Sequence, residues 1–156
     1  MRRPRLAVLP LSRPGAGLGV AGARRKAALA VLKGLDWQLV GPRALYLDAA
    51  AMVRAARSLS LARPDRLLIL QLGWSEPGPT VRLAGSVAVP VVFWGFPERE
   101  SGVGPDLDSV RAVELAAGLL REAGLACSCL LVAADAPDAG HRLAALLAEP
   151  GATVAS

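Results

Sequence analysis

Five short, nearly unbroken apolar runs alternate along the chain with longer stretches whose apolar residues recur every three or four positions. The runs are Arg5–Leu11 (RLAVLPL), Trp37–Val40 (WQLV), Arg66–Leu72 (RLLILQL), Pro90–Trp94 (PVVFW) and Leu125–Ala133 (LACSCLLVA). Runs this short and this apolar suit strands covered on both faces, as in a parallel sheet. The stretches between them predict helices over Val20–Leu35, Leu47–Leu61, Thr80–Val87, Asp108–Ala123 and Asp138–Ala148. Asp48 is a candidate N-cap for the second helix, and Gly34, Pro64 and Gly124 are stop signals. The second helix has Met52, Val53, Ala56 and Leu59 as its expected apolar stripe. The fourth has Val110, Val113, Leu115, Leu119 and Leu120. Gly151–Ser156 reads as a last strand or a frayed end.

Regular alternation of strand and helix predicts an α/β fold: a doubly wound, parallel five-stranded sheet in a flavodoxin-like or Rossmann-like three-layer sandwich. The 156 residues suit one domain spanning 1–156, with no repeat, low-complexity segment or linker to divide it. Ligands of such folds bind outside the carboxyl ends of the strands. The loops there (Ser12–Gly19, Gly41–Arg43, Gly73–Pro79, Gly95–Asp106 and Ala133–Gly140) are rich in Gly, Pro, Trp and Arg. The loops at the other edge are shorter and plainer.

Composition sharpens this picture. Hydrophobic residues make up 53% of the chain, above the usual ~45–50%, which fits a well-buried sheet. No apolar run is long enough to span a bilayer. The basic start Met1-Arg2-Arg3-Pro4-Arg5 leads into a run broken by Pro10, which reads as a first strand rather than a signal peptide. A soluble, cytoplasmic protein is expected. Residues 1–66 hold 13 Arg and Lys against 3 Asp and Glu, whereas residues 67–156 hold 5 against 10. The basic clusters of the first half, Arg2/Arg3/Arg5, Arg24/Arg25/Lys26 and Arg54/Arg57, have no interleaved aromatics, which argues against nucleic acid. The basic half is suited to meeting the acidic half of a neighbouring subunit, so a homo-oligomer or a partner chain is expected. The absence of Asn and the 16 Arg against two Lys fit a thermophile or a GC-rich source.

Candidate chemistry is sparse. Cys127 and Cys129 share one face of a strand and read as small buried hydrophobes. The frame Gly17-Leu18-Gly19-Val20-Ala21-Gly22 matches a dinucleotide-binding fingerprint, but it lies well past the strand end and no acidic residue closes the next strand. The single His141 and the Cys127-x-Cys129 pair have no zinc spacing. Asp135 and Asp138 read as a turn and a helix cap. Ser12, Ser75, Ser101 and Ser109 lie on suitable loops, but only His141 is available as a histidine base. Glu76, Glu98 and Glu100 are on adjacent loops, as an acid/base pair would be. Trp74 and Trp94 are expected at the carboxyl-end rim, where aromatic faces stack on sugar rings. Arg13 and Arg43 are expected beside them.

Several segments resemble the N-terminal domain of the L-fucose isomerase and L-arabinose isomerase superfamily. They are the first strand with Ser12-Arg13-Pro14, then Leu68–Ser75, and above all Val89-Pro90-Val91-Val92-Phe93-Trp94-Gly95-Phe96-Pro97-Glu98. Leu107-Asp108-Ser109 and the Ala-rich helix to Gly124 follow. Asp108 stands where the family has Asn, and Arg111-Ala112 where it often has a small pair. The resemblance implies a sugar-binding or assembly module without catalytic activity of its own, with Arg13, Trp74, Ser75, Trp94 and Glu98 as ligand contacts. It implies no cofactor in this chain: Mn2+ belongs to the later domains of full-length relatives. The alternatives are a small enzyme or split isomerase subunit completed by a partner, and a phosphate- or nucleotide-binding flavodoxin-like module.

Overall fold

The computed structural model describes residues 2–13, 18–41, 44, 48–97 and 107–149. The elements follow the expected alternation: β1 (Arg5–Leu11), α1 (Leu18–Lys33), β2 (Gln38–Val40), α2 (Ala49–Leu61), β3 (Arg66–Gln71), α3 (Pro77–Val87), β4 (Val91–Gly95), α4 (Leu107–Glu122), β5 (Cys127–Leu131) and α5 (Ala139–Ala148). The strands form one sheet in the order β2-β1-β3-β4-β5, and every pairing is parallel. Ile69 lies opposite Leu9 on one side and Phe93 on the other. The result is a three-layer α/β sandwich of the flavodoxin or Rossmann type. The last strand expected at Gly151–Ser156 lies outside the described residues.

The apolar runs are continuous because the inner strands are buried on both faces. Alternate residues enter two separate cores. Ala7, Leu9, Leu67, Ile69, Val91 and Phe93 pack under α2, α3 and α4. Leu6, Val8, Leu68, Leu70, Val92 and Trp94 pack under α1 and α5. Each fully buried Leu, Ile or Phe stabilises the fold by roughly 1.5–3 kcal/mol.

The helices bury small residues more than their apolar count suggests. In α2 the inward residues are Met52, Ala55 and Leu59, while Val53 is 74% exposed. In α4 they are Ala112, Val113, Ala116, Ala117 and Leu120, while Leu115 and Leu119 are 49% and 40% exposed. Of the expected stripes, Met52, Leu59, Val113 and Leu120 face inward, whereas Val53, Leu115 and Leu119 do not. Close helix-on-sheet packing selects the alanines instead. Asp48 caps α2, its Oδ1 accepting from the Ala51 N–H at 2.7 Å. Gly124 ends the α4 segment at φ +78°, a conformation that favours glycine. No helix among the described residues is long and apolar enough to cross a membrane.

Candidate functional site

Strand order reverses at β1. From its carboxyl end the chain passes into α1 on one face of the sheet, and from neighbouring β3 it passes into α3 on the other. Diverging connections of this kind leave a crevice outside the carboxyl ends of the two strands. A cleft of about 310 Å³ opens there, between β1, β3 and the starts of α2 and α3. Leu11 and Met52 give it apolar surface. Ser12 and Arg13 line it from β1, Trp74, Ser75 and Glu76 from the loop after β3, and Asp48 from the cap of α2. It is at the small end of ligand pockets, which run roughly 300–1,000 Å³.

The loop carrying Trp74 is held on several sides. The Gln71 amide donates to the Gly73 carbonyl at 3.0 Å and to Ser75 Oγ at 2.7 Å. The Gln71 backbone carbonyl accepts from Ser109 Oγ, which itself accepts from the Phe96 N–H at 2.9 Å. The Leu72 N–H donates to the Leu11 carbonyl at 2.9 Å, and Arg24 donates to the Leu72 carbonyl at 2.8 Å. A Cβ on Gly73 would come within 3.0 Å of Ser12 Oγ, so the absence of a side chain there permits the close approach of the two walls. One side of the cleft is thereby held in place by hydrogen bonds.

Arg13 brings a cation to the cleft, but the helix N-termini beside it offer few anion-binding donors. Helix N-termini usually offer free N–H groups to phosphate. At α2 the Asp48 carboxylate already occupies that place. At α3 two of the first three positions are Pro77 and Pro79, which have no N–H to offer. The dinucleotide frame fares no better. Its third glycine normally permits close helix–strand packing, yet a Cβ on Gly22 would meet nothing within 4 Å. Its first glycine, Gly17, lies outside the described residues, as do Pro14 and Gly15.

Arg13, Trp74 and Ser75 are brought together as expected. Trp94 is not with them. It is fully buried on the α1/α5 side, donates its indole N–H to the Val132 carbonyl at 2.9 Å, and stacks on Phe96 with centroids 5.2 Å apart. Strand alternation in a sheet covered on both faces turns this ring into the core, so it is no rim residue. Glu98, Glu100, Arg43 and Ser101 lie outside the described residues. Glu76 is exposed at the N-cap of α3. His141, Asp135 and Asp138 are exposed on or before α5, and Asp138 takes the N-cap position without a side-chain cap bond.

Cys127 and Cys129 are free thiols facing the α4 core. Burial pushes both above the ordinary thiol range, against the nearby Arg121 charge. Among the described residues no three His, Cys, Asp or Glu side chains gather into a metal-binding group.

Neither Gln71 nor Arg24 is among the site residues expected from the sequence. Gln71 had a signal, since it is the one amide in the RLLILQL run. Arg24 had one too: it falls on the same helical stripe as the buried Ala21 and Ala28. Asp48 was legible as a cap but not as a cleft wall. No protein-family model and no curated protein matches the chain.

Proposed function

We propose that the protein binds a small, neutral, polyhydroxylated ligand of the monosaccharide class in the β1/β3 cleft. The carrying observation is Trp74 lining a monosaccharide-sized cleft together with hydroxyl and carboxylate groups, at helix N-termini with few donors left for phosphate. An indole face suits the C–H face of a pyranose, much as aromatic rings take other positively polarised edges. Ser12, Ser75 and the second carboxylate oxygen of Asp48 suit its hydroxyls, and Arg13 at the mouth donates to a ring or hydroxyl oxygen. The resemblance to sugar-isomerase N-terminal domains supports the same ligand class. The proposed role is binding, and one of the two carboxylates lining the cleft, Asp48, is engaged as a helix cap.

Calorimetric titration with pentoses, hexoses and alditols, without added metal, tests this reading. Binding near the millimolar range, about −4 kcal/mol, is expected. Trp74→Ala should abolish it. Asp48→Asn should weaken it while keeping the cap. No response to any of these compounds, or binding indifferent to Trp74→Ala, would sink it. A response to phosphate or nucleotide alone would transfer the cleft to the nucleotide-binding alternative.

A further inference from the structure

The two edges of the sheet differ. β2 is a three-residue strand, Gln38–Val40, and is too short to template much pairing. β5 runs for five residues, Cys-Ser-Cys-Leu-Leu, with no charge, no proline and an exposed Leu131. Among the described residues no backbone group bonds to its outer side. Lysines, prolines and bulges usually protect an open edge of this kind, and β5 has none of them.

The flank of α4 beside this edge carries one charge of each sign. Glu114 and Arg121 are seven residues apart and so lie on one side of the helix. The Arg121 guanidinium reaches 4.0 Å from Cys129 Sγ. The Glu114 charge is also felt at that thiol, which it pushes up. Neither residue has an ion-pair partner among the described residues. The Arg121 Nε is buried without any hydrogen-bond acceptor.

We propose that β5 docks a second copy of this chain, pairing antiparallel with its β5 about a two-fold axis near Cys129 and doubling the five-stranded sheet. The axis reverses the order of residues along α4 in the second copy. Glu114 of each copy then faces Arg121 of the other, twice over, as a self-complementary interface requires. The pairing supplies a carboxylate to a guanidinium whose one acceptor among the described residues is the Cys129 sulfur. An unrelated strand would cover the backbone edge equally well but would not carry this reversed charge pattern. The inference is independent of what the cleft binds.

Sedimentation of the full chain tests it. A reversible dimer is expected. Glu114→Arg or Arg121→Glu should each weaken it roughly tenfold, because each reversal is felt at two symmetric pairs. The double reversal should restore it. Glu114 is exposed, so Glu114→Arg remains informative even where Arg121→Glu disturbs packing. Opposed residues near such an axis have Cα atoms ~4.5–5.5 Å apart, within disulfide range. Two Cys129 thiols should therefore link when diamide takes up their electrons and protons. That link should survive Cys127→Ala and vanish in Cys129→Ala. A chain monomeric at every accessible concentration, or a dimer indifferent to both reversals, overturns the proposal.

Discussion

Ser109, in the first turn of α4, donates its hydroxyl proton to the backbone carbonyl of Gln71, the last residue of β3, and accepts from the Phe96 N–H just beyond β4. One small side chain thus joins two strand ends and a helix start directly behind the cleft. Ser109→Ala leaves the buried Phe96 N–H unpaired, with an expected cost of about 2–3 kcal/mol. Urea unfolding would register this as a lower midpoint at unchanged slope. A cost of a few tenths of a kcal/mol would contradict the bonding described.

The two loop and strand tryptophans should separate cleanly. Trp74 lines the cleft, half-exposed, so Trp74→Ala should change stability little and remove sugar binding. Trp94 is fully buried and bonded to Val132. Trp94→Ala should cost about 3–5 kcal/mol and affect binding only through the loss of folded protein. Paired thermal melts and titrations distinguish the two.

Gly95 should resist enlargement. A Cβ there would stand 2.7 Å from Leu131 Cδ2 and 3.0 Å from Val113 Cγ2. Gly95→Ala should destabilise by about 1–3 kcal/mol, whereas Gly118→Ala, with open space around its Cβ, should be neutral or stabilising within helix α4. Equal effects at both positions would refute the packing argument.

The thiols give a pH dependence. Burial, foremost, raises both pKa values, and for Cys129 the Cys127 and Glu114 charges add to it against Arg121. The folded chain therefore holds these protons more tightly than the unfolded one. That stabilisation is complete below the ordinary thiol pKa and is lost as pH rises above about 8.5. Urea midpoints measured from pH 7 to 10 should fall more steeply for the native chain than for Cys127→Ala/Cys129→Ala. Identical slopes would exclude the thiols as the source.

Apolar runs made the strands legible to within a residue or two, because burial on both faces leaves an unbroken pattern. The Asp48 cap was legible because capping is a local hydrogen bond. The rim positions of Arg13, Trp74 and Ser75 followed from strand direction alone. The choice between Trp74 and Trp94 did not, because two rings near strand ends look alike until strand parity and loop path are known. The helix stripes in α2 and α4 were misassigned where alanines, not Val53, Leu115 or Leu119, face the sheet. The anchoring of the cleft by Gln71, Arg24 and Ser109 joins residues 38 to 48 positions apart, and no local pattern encodes such contacts.

The central sheet separates the cleft from the α1/α5 core that holds Trp94 and Phe96. Residues such as Ala49, Met52 and Pro79 touch the first compartment and not the second. The lining of the cleft can therefore change across generations by substitution on one side of the molecule, while the aromatic keel on the other keeps the scaffold viable through each intermediate.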